Sequence, residues 1–136
     1  MAKLIFVNLP ITQLARSTAF YATLGATKNP KFSDETSTCM VFSETIHAML
    51  LTHEKYRHFT SRPIADARAT SSALIALSFD SRDEVNATID RALAAGGQAD
   101  PNPIQDHGFM FGRSVQDPDG QVWDIFWMDP AAAVGA

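Results

Sequence analysis

Apolar and polar residues follow the same order twice along the chain, and this order predicts one structural unit used twice. Residues 3–11 alternate as a strand, and residues 13–24 carry apolar side chains at helical spacing. Three short strand-like runs follow, to about His53. The order restarts at Ser72 and runs to Met128, with the second helix ending at a glycine pair. We therefore expect a strand, a helix and three strands in each half of the chain.

The repeat sets the predicted domain organisation. We expect a single α+β domain over residues 1–130 and a flexible tail at residues 131–136. Within the domain, the two repeats are residues 3–53 and 72–128, and residues 54–71 form the linker between them.

Local signals mark where several elements begin and end. Ser81 followed by Glu84 is a capping-box pattern that predicts the start of the second helix, whereas Thr12 is a weaker start for the first. The run from Asp117 to Gly120 (Asp-Pro-Asp-Gly) predicts a tight turn that opens the last strand. The run from His107 to Arg113 places glycines beside aromatic residues, which is typical of a mobile rim or of a bulged hairpin arm.

Strand alternation also predicts which residues face a concavity. In the lead strands the bulky, mostly β-branched residues should pack under the helices, and the other set should face away from them. In the last strand of the first half, Leu50 and Thr52 are assigned to the concave face, and His47 and His53 to the other face. The predicted concave residues are Phe6, Asn8, Leu50, Thr52, Leu74, Ala76, Asp124 and Phe126.

Composition narrows the class of protein. With 136 residues, 46% of them apolar, the chain can bury one ordinary core. Its net charge of −4 argues against nucleic acid or an anionic membrane as a partner. The lone Cys39 excludes an internal disulfide and fits a reducing compartment. No signal peptide and no stretch of about 20 apolar residues is apparent, so we expect a cytoplasmic protein.

Three features together carry a resemblance to a known family. They are Leu14-Ala15-Arg16-Ser17 with Phe20-Tyr21 and Leu24-Gly25, the second lead strand Leu74-Ile75-Ala76-Leu77-Ser78-Phe79, and the Asp-Pro-Asp-Gly turn followed by a strand. In this order the chain resembles the vicinal oxygen chelate superfamily, which includes glyoxalase I, extradiol dioxygenases, and bleomycin and fosfomycin resistance proteins. It is most similar to glyoxalase-like proteins described as predicted lactoylglutathione lyases. The resemblance implies two βαβββ modules that form a curved, mixed eight-strand sheet.

The resemblance also implies four metal-ligand positions, usually occupied by His or Glu. They correspond here to Phe6, Leu50, Leu74 and Asp124. Three of these are apolar, and one carboxylate cannot replace the hydration shell of a divalent ion. We therefore expect no metal cofactor and disfavour the metal-dependent glyoxalase reaction. The remaining metal hypothesis uses displaced ligands such as His53, His107 and Asp124.

Apart from the displaced-ligand hypothesis, the surroundings of the four histidines and of the cysteine suggest their roles. His47 and His53 are interpreted as surface or strand-edge residues, while His58 and His107 fall in loops, where exposure and ligand contact are both open. Cys39 has apolar and β-branched neighbours and is interpreted as a buried residue rather than a nucleophile.

A largely apolar small-molecule site remains as the principal functional hypothesis. Asp124 is the most informative residue of this site, either as a catalytic acid or base or as the residue that holds a cationic or hydrogen-bonding ligand. A structural carboxylate paired with Arg113 or Arg16 is the alternative. Besides the concave residues above, the predicted ligand-binding set includes His107, Phe109 and Arg113.

Three functions remain open from the sequence. The first is a glyoxalase-like protein that binds a small organic molecule without metal, to sequester it or to act on it. The second is a divalent-metal lyase or isomerase, and the third is a scaffold without ligand. We also expect a homodimer, because related proteins commonly complete each site with residues of two chains and because open sheet edges need cover.

Overall fold

The computed structural model describes residues 2–134, and the backbone divides into two compact units. Unit 1 runs to Asp66 and unit 2 starts at Ala67. The division therefore falls within the segment predicted as a linker. Each unit has its own sheet.

The described part of unit 1 follows the predicted order of a strand, a helix and further strands. Its elements are β1 (Ile5–Ile11), α1 (Leu14–Thr23), β2 (Thr27–Asn29), a 3-10 turn (Pro30–Phe32), β3 (Ser37–Val41), β4 (Ile46–Thr52) and α2 (His53–Tyr56). The strand order is β1-β4-β3-β2, with β1 parallel to β4 and the other pairs antiparallel.

Unit 2 repeats the arrangement with one additional short strand. Its elements are β5 (Ile75–Ser78), α3 (Arg82–Ala94), β6 (Gln98–Ala99), β7 (Gln105–Asp106), β8 (Met110–Gln116), β9 (Val122–Met128) and α4 (Pro130–Val134). The strand order is β5-β9-β8-β6, and β7 also pairs with β8. The first strand again lies parallel to the last, as it does in unit 1.

The predicted α+β class and the repeated module are confirmed, and the strands of each unit form a mixed sheet of their own. Within residues 2–134 they form one four-stranded and one five-stranded sheet, because each lead strand pairs with the last strand of its own unit. Residues 131–134 belong to α4, while 135 and 136, the end of the predicted tail, lie outside the described residues.

The two longer helices begin differently. At α3 the Ser81 hydroxyl accepts a hydrogen bond from the Glu84 backbone N–H at 3.0 Å, and the Glu84 carboxylate accepts one from the Asp80 N–H at 3.1 Å. The capping pattern thus functions as predicted at Ser81, with its return bond displaced to Asp80. Helix α1 has Gln13 as its N-cap without a side-chain hydrogen bond, so the expected start at Thr12 is wrong by one residue.

Each helix buries one face against the sheet of its unit. Phe20 and Tyr21 of α1 are fully buried, as are Val85 and Ile89 of α3. Leu93 of α3 is 44% exposed, and the buried face of this helix includes Thr88. None of the helices in residues 2–134 combines the length and apolar character that a bilayer crossing demands.

The face assignment of β4 is the main error in the predicted fold. The Thr18 hydroxyl of α1 donates to the Thr38 hydroxyl of β3 at 3.3 Å, so Thr38 lies on the helix-facing side of the sheet. Thr38 pairs with Leu50, which pairs with Leu9 on its other side, and Leu50 is fully buried. Leu50 and Thr52 therefore share the helix-facing side, and His47 takes the open side. A one-residue shift in strand phase reverses every side chain, and β4 is apolar in both alternating sets.

The predicted turn at residues 117–120 is confirmed and joins β8 to β9. The Asp117 carboxylate accepts hydrogen bonds from the backbone N–H groups of Asp119 at 2.8 Å and Gln121 at 2.9 Å. Gly120 has a φ of 106°, which side-chain-bearing residues rarely adopt. The turn fixes the register of the hairpin that carries the candidate site.

Candidate functional site

A cavity of about 480 Å³ opens on the face of the unit 2 sheet that lies away from α3. Its wall is mainly apolar, with a few polar groups. The lining residues are Ala76, Asn102, Pro103, Gln105, Met110, Gly112, Arg113, Ser114, Asp124, Phe126 and Met128. This size falls within the range of roughly 300–1,000 Å³ typical of small-molecule sites.

Strand register brings the floor of the cavity together. Asp124 of β9 lies between Ala76 of β5 and Ser114 of β8. One step along the hairpin, Phe126 pairs with Gly112. Since residues in register on neighbouring strands point to the same face, these side chains converge on the open side of the sheet.

Small residues keep the floor open. A Cβ added at Gly112 would lie 3.5 Å from the Phe126 Cβ, in ordinary contact, so the missing side chain leaves space rather than relieving a clash. Ala76 adds only a methyl group beside Asp124. The cavity therefore exists because small side chains occupy the strands on both sides of Asp124 and Phe126.

The loop above the floor is held by Ser114. Its hydroxyl accepts a hydrogen bond from the Asn102 N–H at 2.9 Å, and its carbonyl accepts one from the Asp100 N–H at 2.7 Å. Ser114 is 2% exposed, so these bonds form away from water. They place Asn102 and Pro103 along the cavity wall.

The Asp124 carboxylate is the charged group of the cavity floor that has no partner among the described residues. Among residues 2–134, no hydrogen bond or ion pair engages it. A carboxylate with free lone pairs beside apolar side chains can accept a proton, accept a hydrogen bond from a ligand or bind a cation. Asp124 thus lies within the cavity as predicted.

Arg113 does not pair with Asp124. Its guanidinium donates to the Asp100 carboxylate at 2.7 and 3.1 Å and to the Asn86 side chain of α3 at 2.9 Å. The hydrogen bonds to Asp100 raise the pKa of Arg113 above its usual value. Odd-numbered residues of β8 face α3, whereas Asp124 pairs with an even-numbered one, so Arg113 is a structural residue that borders the cavity without aiming its charge into it. Arg16, the other predicted partner, donates to the Thr12 hydroxyl at 2.9 Å.

Arg82 fastens the loop that carries His107 and Phe109. Its guanidinium donates to both carboxylate oxygens of Asp106, at 2.7 and 3.0 Å, and to the Gly108 carbonyl at 3.0 Å. The hydrogen bond from Arg82 is the main reason that the pKa of Asp106 falls to about 2. His107 and Phe109 are exposed and are not among the lining residues of this cavity, so their predicted role in ligand binding stays a prediction. The mobile-rim interpretation of this segment is not supported, because β7 and β8 make it part of a paired hairpin.

The predicted residues outside this cavity have other surroundings. Phe6 stacks on His47 with ring centroids 4.4 Å apart, and the Asn8 side chain donates to the Phe6 carbonyl at 3.3 Å. Thr52 caps α2 by accepting from the Lys55 N–H at 3.2 Å. Leu74 precedes β5 and is 63% exposed. Phe6 and Asn8 lie on the open face of unit 1 as predicted, and Leu50 and Thr52 do not.

The residues present do not fit the divalent ion that the family resemblance implies. Phe6 and Leu74 carry no donor atom, Leu50 is buried in the core of unit 1, and only Asp124 offers oxygen atoms. Across the described residues 2–134, no three His, Cys, Asp or Glu side chains form a group that could hold a metal ion. Of the proposed displaced ligands, His53 begins α2 and His107 contacts the Gln105 side chain at 3.1 Å.

Several cavity residues were missed from the sequence: Asn102, Pro103, Gln105, Met110, Gly112, Ser114 and Met128. A usable signal existed for four of them. Counting outward from the turn at residues 117–120 pairs Ser114 with Asp124, Gly112 with Phe126 and Met110 with Met128. The loop residues Asn102, Pro103 and Gln105 had no such periodic signal.

Solved structures with the same fold cover nearly the whole chain. A hypothetical protein from S. aureus has a TM-score of 0.76 at 19% identity, over 93% of this chain and 94% of that one. A glyoxalase-related enzyme from Fulvimarina pelagi has a TM-score of 0.76 at 21% identity, over 93% and 88%. The fosfomycin resistance protein FosX from Listeria monocytogenes has a TM-score of 0.65 at 16% identity, over 93% and 91%. These similarities establish the fold.

One of two sequence comparisons gives a match. The sequence profile described as "Glyoxalase/Bleomycin resistance protein/Dioxygenase superfamily" matches residues 3–125. Among curated proteins, none matches the chain significantly. The profile match extends into both units and includes Asp124, and it ends at residue 125 within β9.

Proposed function

Because this chain belongs to the Glyoxalase/Bleomycin resistance protein/Dioxygenase superfamily, we propose that it binds a small organic molecule in the unit 2 cavity without a metal at the family position. The observation that carries the proposal is the cavity of about 480 Å³ with Asp124 on its floor. A concave apolar wall with few polar groups is the usual makeup of a small-molecule site.

The wall suits a compact organic ligand. Met110 and Met128 have flexible, polarisable side chains that adapt to irregular shapes, and Phe126 offers an aromatic surface. Ala76 and Gly112 leave the volume that such a molecule would fill. Burying these apolar surfaces against a ligand supplies the favourable free energy, while Asp124 selects its orientation.

A thermal-shift screen with a small-molecule library tests the proposal. A ligand at 100 times its dissociation constant stabilises the native state by about 2.7 kcal/mol, which raises the melting temperature by several degrees. The hits should lose their effect in Ala76→Leu, which fills the cavity. They should keep it in Ser78→Leu, a matched change on the same face of β5 outside the lining.

The outcomes separate the proposal from its rivals. Hits that stabilise the wild type and Ser78→Leu but not Ala76→Leu support it. An absence of hits in the library would favour a scaffold without ligand. Hits that act equally on both variants place binding elsewhere and contradict the proposal.

The metal-independent part has a separate test. Elemental analysis of protein purified without chelator should find no divalent metal at stoichiometric level, because the family positions offer one carboxylate only. A stoichiometric zinc, nickel or manganese ion would favour the lyase or isomerase alternative instead.

We extend the proposal to a homodimer in the cytoplasm. Exposed apolar side chains beside the sheet-edge strands β1 and β5 support the dimer: Leu4 and Ile5 are each 55% exposed and Leu74 is 63% exposed. The single, buried cysteine supports a reducing compartment. Sedimentation equilibrium should give twice the monomer mass, and Ile5→Lys should shift it toward the monomer. A monomeric wild type would contradict the dimer.

A further inference from the structure

The charged groups around Asp124 indicate the chemical class of the ligand that the cavity binds. Asp124 lies in the cavity with apolar neighbours and no protein partner within residues 2–134. An uncompensated carboxylate that a ligand removes from water loses its hydration, which is unfavourable unless the ligand replaces the lost interactions. The ligand must therefore carry a group that interacts favourably with the Asp124 carboxylate.

Unit 2 has no spare cation for this purpose. Its sequence contains four arginines and no lysine. Arg113 donates to Asp100 and Asn86 on the α3 side of the sheet, and Arg82 donates to Asp106 and Gly108. The Arg82 guanidinium also lies over the rings of Phe111 and Trp127, with its carbon 5.1 and 5.5 Å from their centroids.

The two remaining arginines are also engaged. The Arg91 guanidinium donates to the Thr88 hydroxyl at 3.1 Å on α3, and that of Arg68 donates to the Pro118 carbonyl. Moving any of the four toward Asp124 would break hydrogen bonds that the structure contains. A positive charge that pairs with the Asp124 carboxylate therefore has to come from outside unit 2.

The other lining groups suit the body of such a ligand. Phe126 follows Asp124 by two residues on the same strand, so its ring lies next to the carboxylate on the same face. An aromatic face attracts a cation as well as an apolar ring. Met110 and Met128 pair across the hairpin beyond Phe126 and extend the apolar wall.

From these contacts we infer that the cavity takes a small organic cation with an apolar body, such as an arylalkylamine, an amidine or a protonated nitrogen heterocycle. Its positive group binds the Asp124 carboxylate, and its apolar part packs on Phe126, Met110 and Met128. This inference rests on the proposed function, since it names the ligand class of the same cavity.

A matched ligand series tests the class. The probes are phenethylamine, phenethyl alcohol and phenylpropionate, which share a phenyl ring and a short chain but differ in charge. Isothermal titration with the purified full-length protein should give the tightest binding for the amine, weaker binding for the alcohol and none for the carboxylate. The affinity for the amine should fall as salt is added, because ions screen the pair.

Asp124→Asn is the decisive variant because it removes the charge at nearly constant shape. Its affinity for phenethylamine should drop at least 10-fold, whereas its affinity for the alcohol should stay within about twofold of the wild type. Asp83→Asn, an exposed carboxylate on α3, is the control for net charge and should bind both as the wild type does. Asp124→Glu, which keeps the charge, should retain the preference for the amine.

Failure of this inference differs from failure of the proposed function. If the amine and alcohol bind equally, or if Asp124→Asn leaves amine affinity unchanged while Ala76→Leu abolishes it, the cavity binds ligands but not as a cation site. If no probe and no library compound binds in the cavity, the proposed function itself fails. Circular dichroism of Asp124→Asn must match the wild type; if the variant does not fold, the salt dependence and Asp124→Glu decide the question.

Discussion

The two units have the same strand order, yet the side chains on their open faces differ. In unit 1 the pairing of the first strand with the last brings Phe6 next to His47, and their ring centroids are 4.4 Å apart. In unit 2 the same strand pair brings Ala76 next to Asp124. Two stacked rings therefore cover this strand pair in unit 1, whereas in unit 2 a methyl group leaves room beside Asp124. Side-chain volume at a few positions, rather than backbone topology, creates the site.

The largest expected effect tests which side of unit 1 is its core. Leu50→Ala should lower the free energy of unfolding by about 2–5 kcal/mol, because it leaves a cavity beside fully buried neighbours. Phe6→Ala on the open side should cost much less, since Phe6 is 45% exposed. Urea denaturation measures both. A Phe6 effect equal to that of Leu50 would contradict the face assignment of β4.

The second comparison concerns two glycines with positive φ, one in each unit. A Cβ at Gly120 would lie 2.7 Å from the Arg68 Cγ and 2.8 Å from its backbone nitrogen, whereas a Cβ at Gly25 would meet nothing within 4 Å. Gly25→Ala should cost about 1 kcal/mol through φ strain alone, and Gly120→Ala distinctly more, about 2–3 kcal/mol. Thermal unfolding of the two variants checks the order. Equal losses would show that the contact with Arg68 yields freely.

The third comparison concerns the helix starts. Ser81→Ala should cost about 1 kcal/mol, because α3 loses the hydrogen bond from the Glu84 N–H to the Ser81 hydroxyl. Gln13→Ala, at the equivalent position of α1, should be nearly neutral, because its side chain caps nothing. Urea denaturation at neutral pH provides the measurement. A neutral Ser81→Ala would indicate that a water molecule replaces the cap.

The smallest expected effect is a pH dependence that distinguishes the rim of unit 2. The pKa of Asp106 is lowered from 3.8 to about 2, mainly by the hydrogen bond from Arg82. The resulting stabilisation is present in full above pH 3.8 and is lost as the pH falls through about 2. The stability difference between the wild type and Arg82→Gln should therefore shrink between pH 4 and pH 2. Arg91→Gln, away from Asp106, should show no such change.

Sequence periodicity predicted the two modules, the turn and the position of Asp124 because each depends on local order. In β9 the polar Asp124 lies between the apolar Trp123 and Ile125, so the two faces of this strand can be distinguished from the sequence. In β4 both alternating sets are apolar, with Ala48 and Leu50 in one and Met49 and Leu51 in the other. Periodicity alone therefore could not assign the faces of β4.

The cavity wall was less predictable than its floor. The backbone N–H of Asn102 donates a hydrogen bond to the Ser114 hydroxyl, twelve residues away in the sequence. No local sequence pattern predicts such a contact. Arg113 belongs to the predicted ligand-binding set. It borders the cavity, but its position in β8 directs its guanidinium to the α3 side, where Asn86 and Asp100 accept its hydrogen bonds. Such long-range partners exist only once the sheet has formed.

The parallel pairing of β5 with β9 also orders the steps by which unit 2 folds. The β8–β9 hairpin closes through a short turn, whereas β5 must join β9 across roughly forty residues, at an entropic cost of about 3 kcal/mol. Strand β5, hydrogen-bonded to a neighbour on one side within its sheet, should therefore be the last strand acquired and the first released. Its amide hydrogens should exchange with solvent sooner than those of β8, and Ala76 would then leave the cavity before Asp124 does.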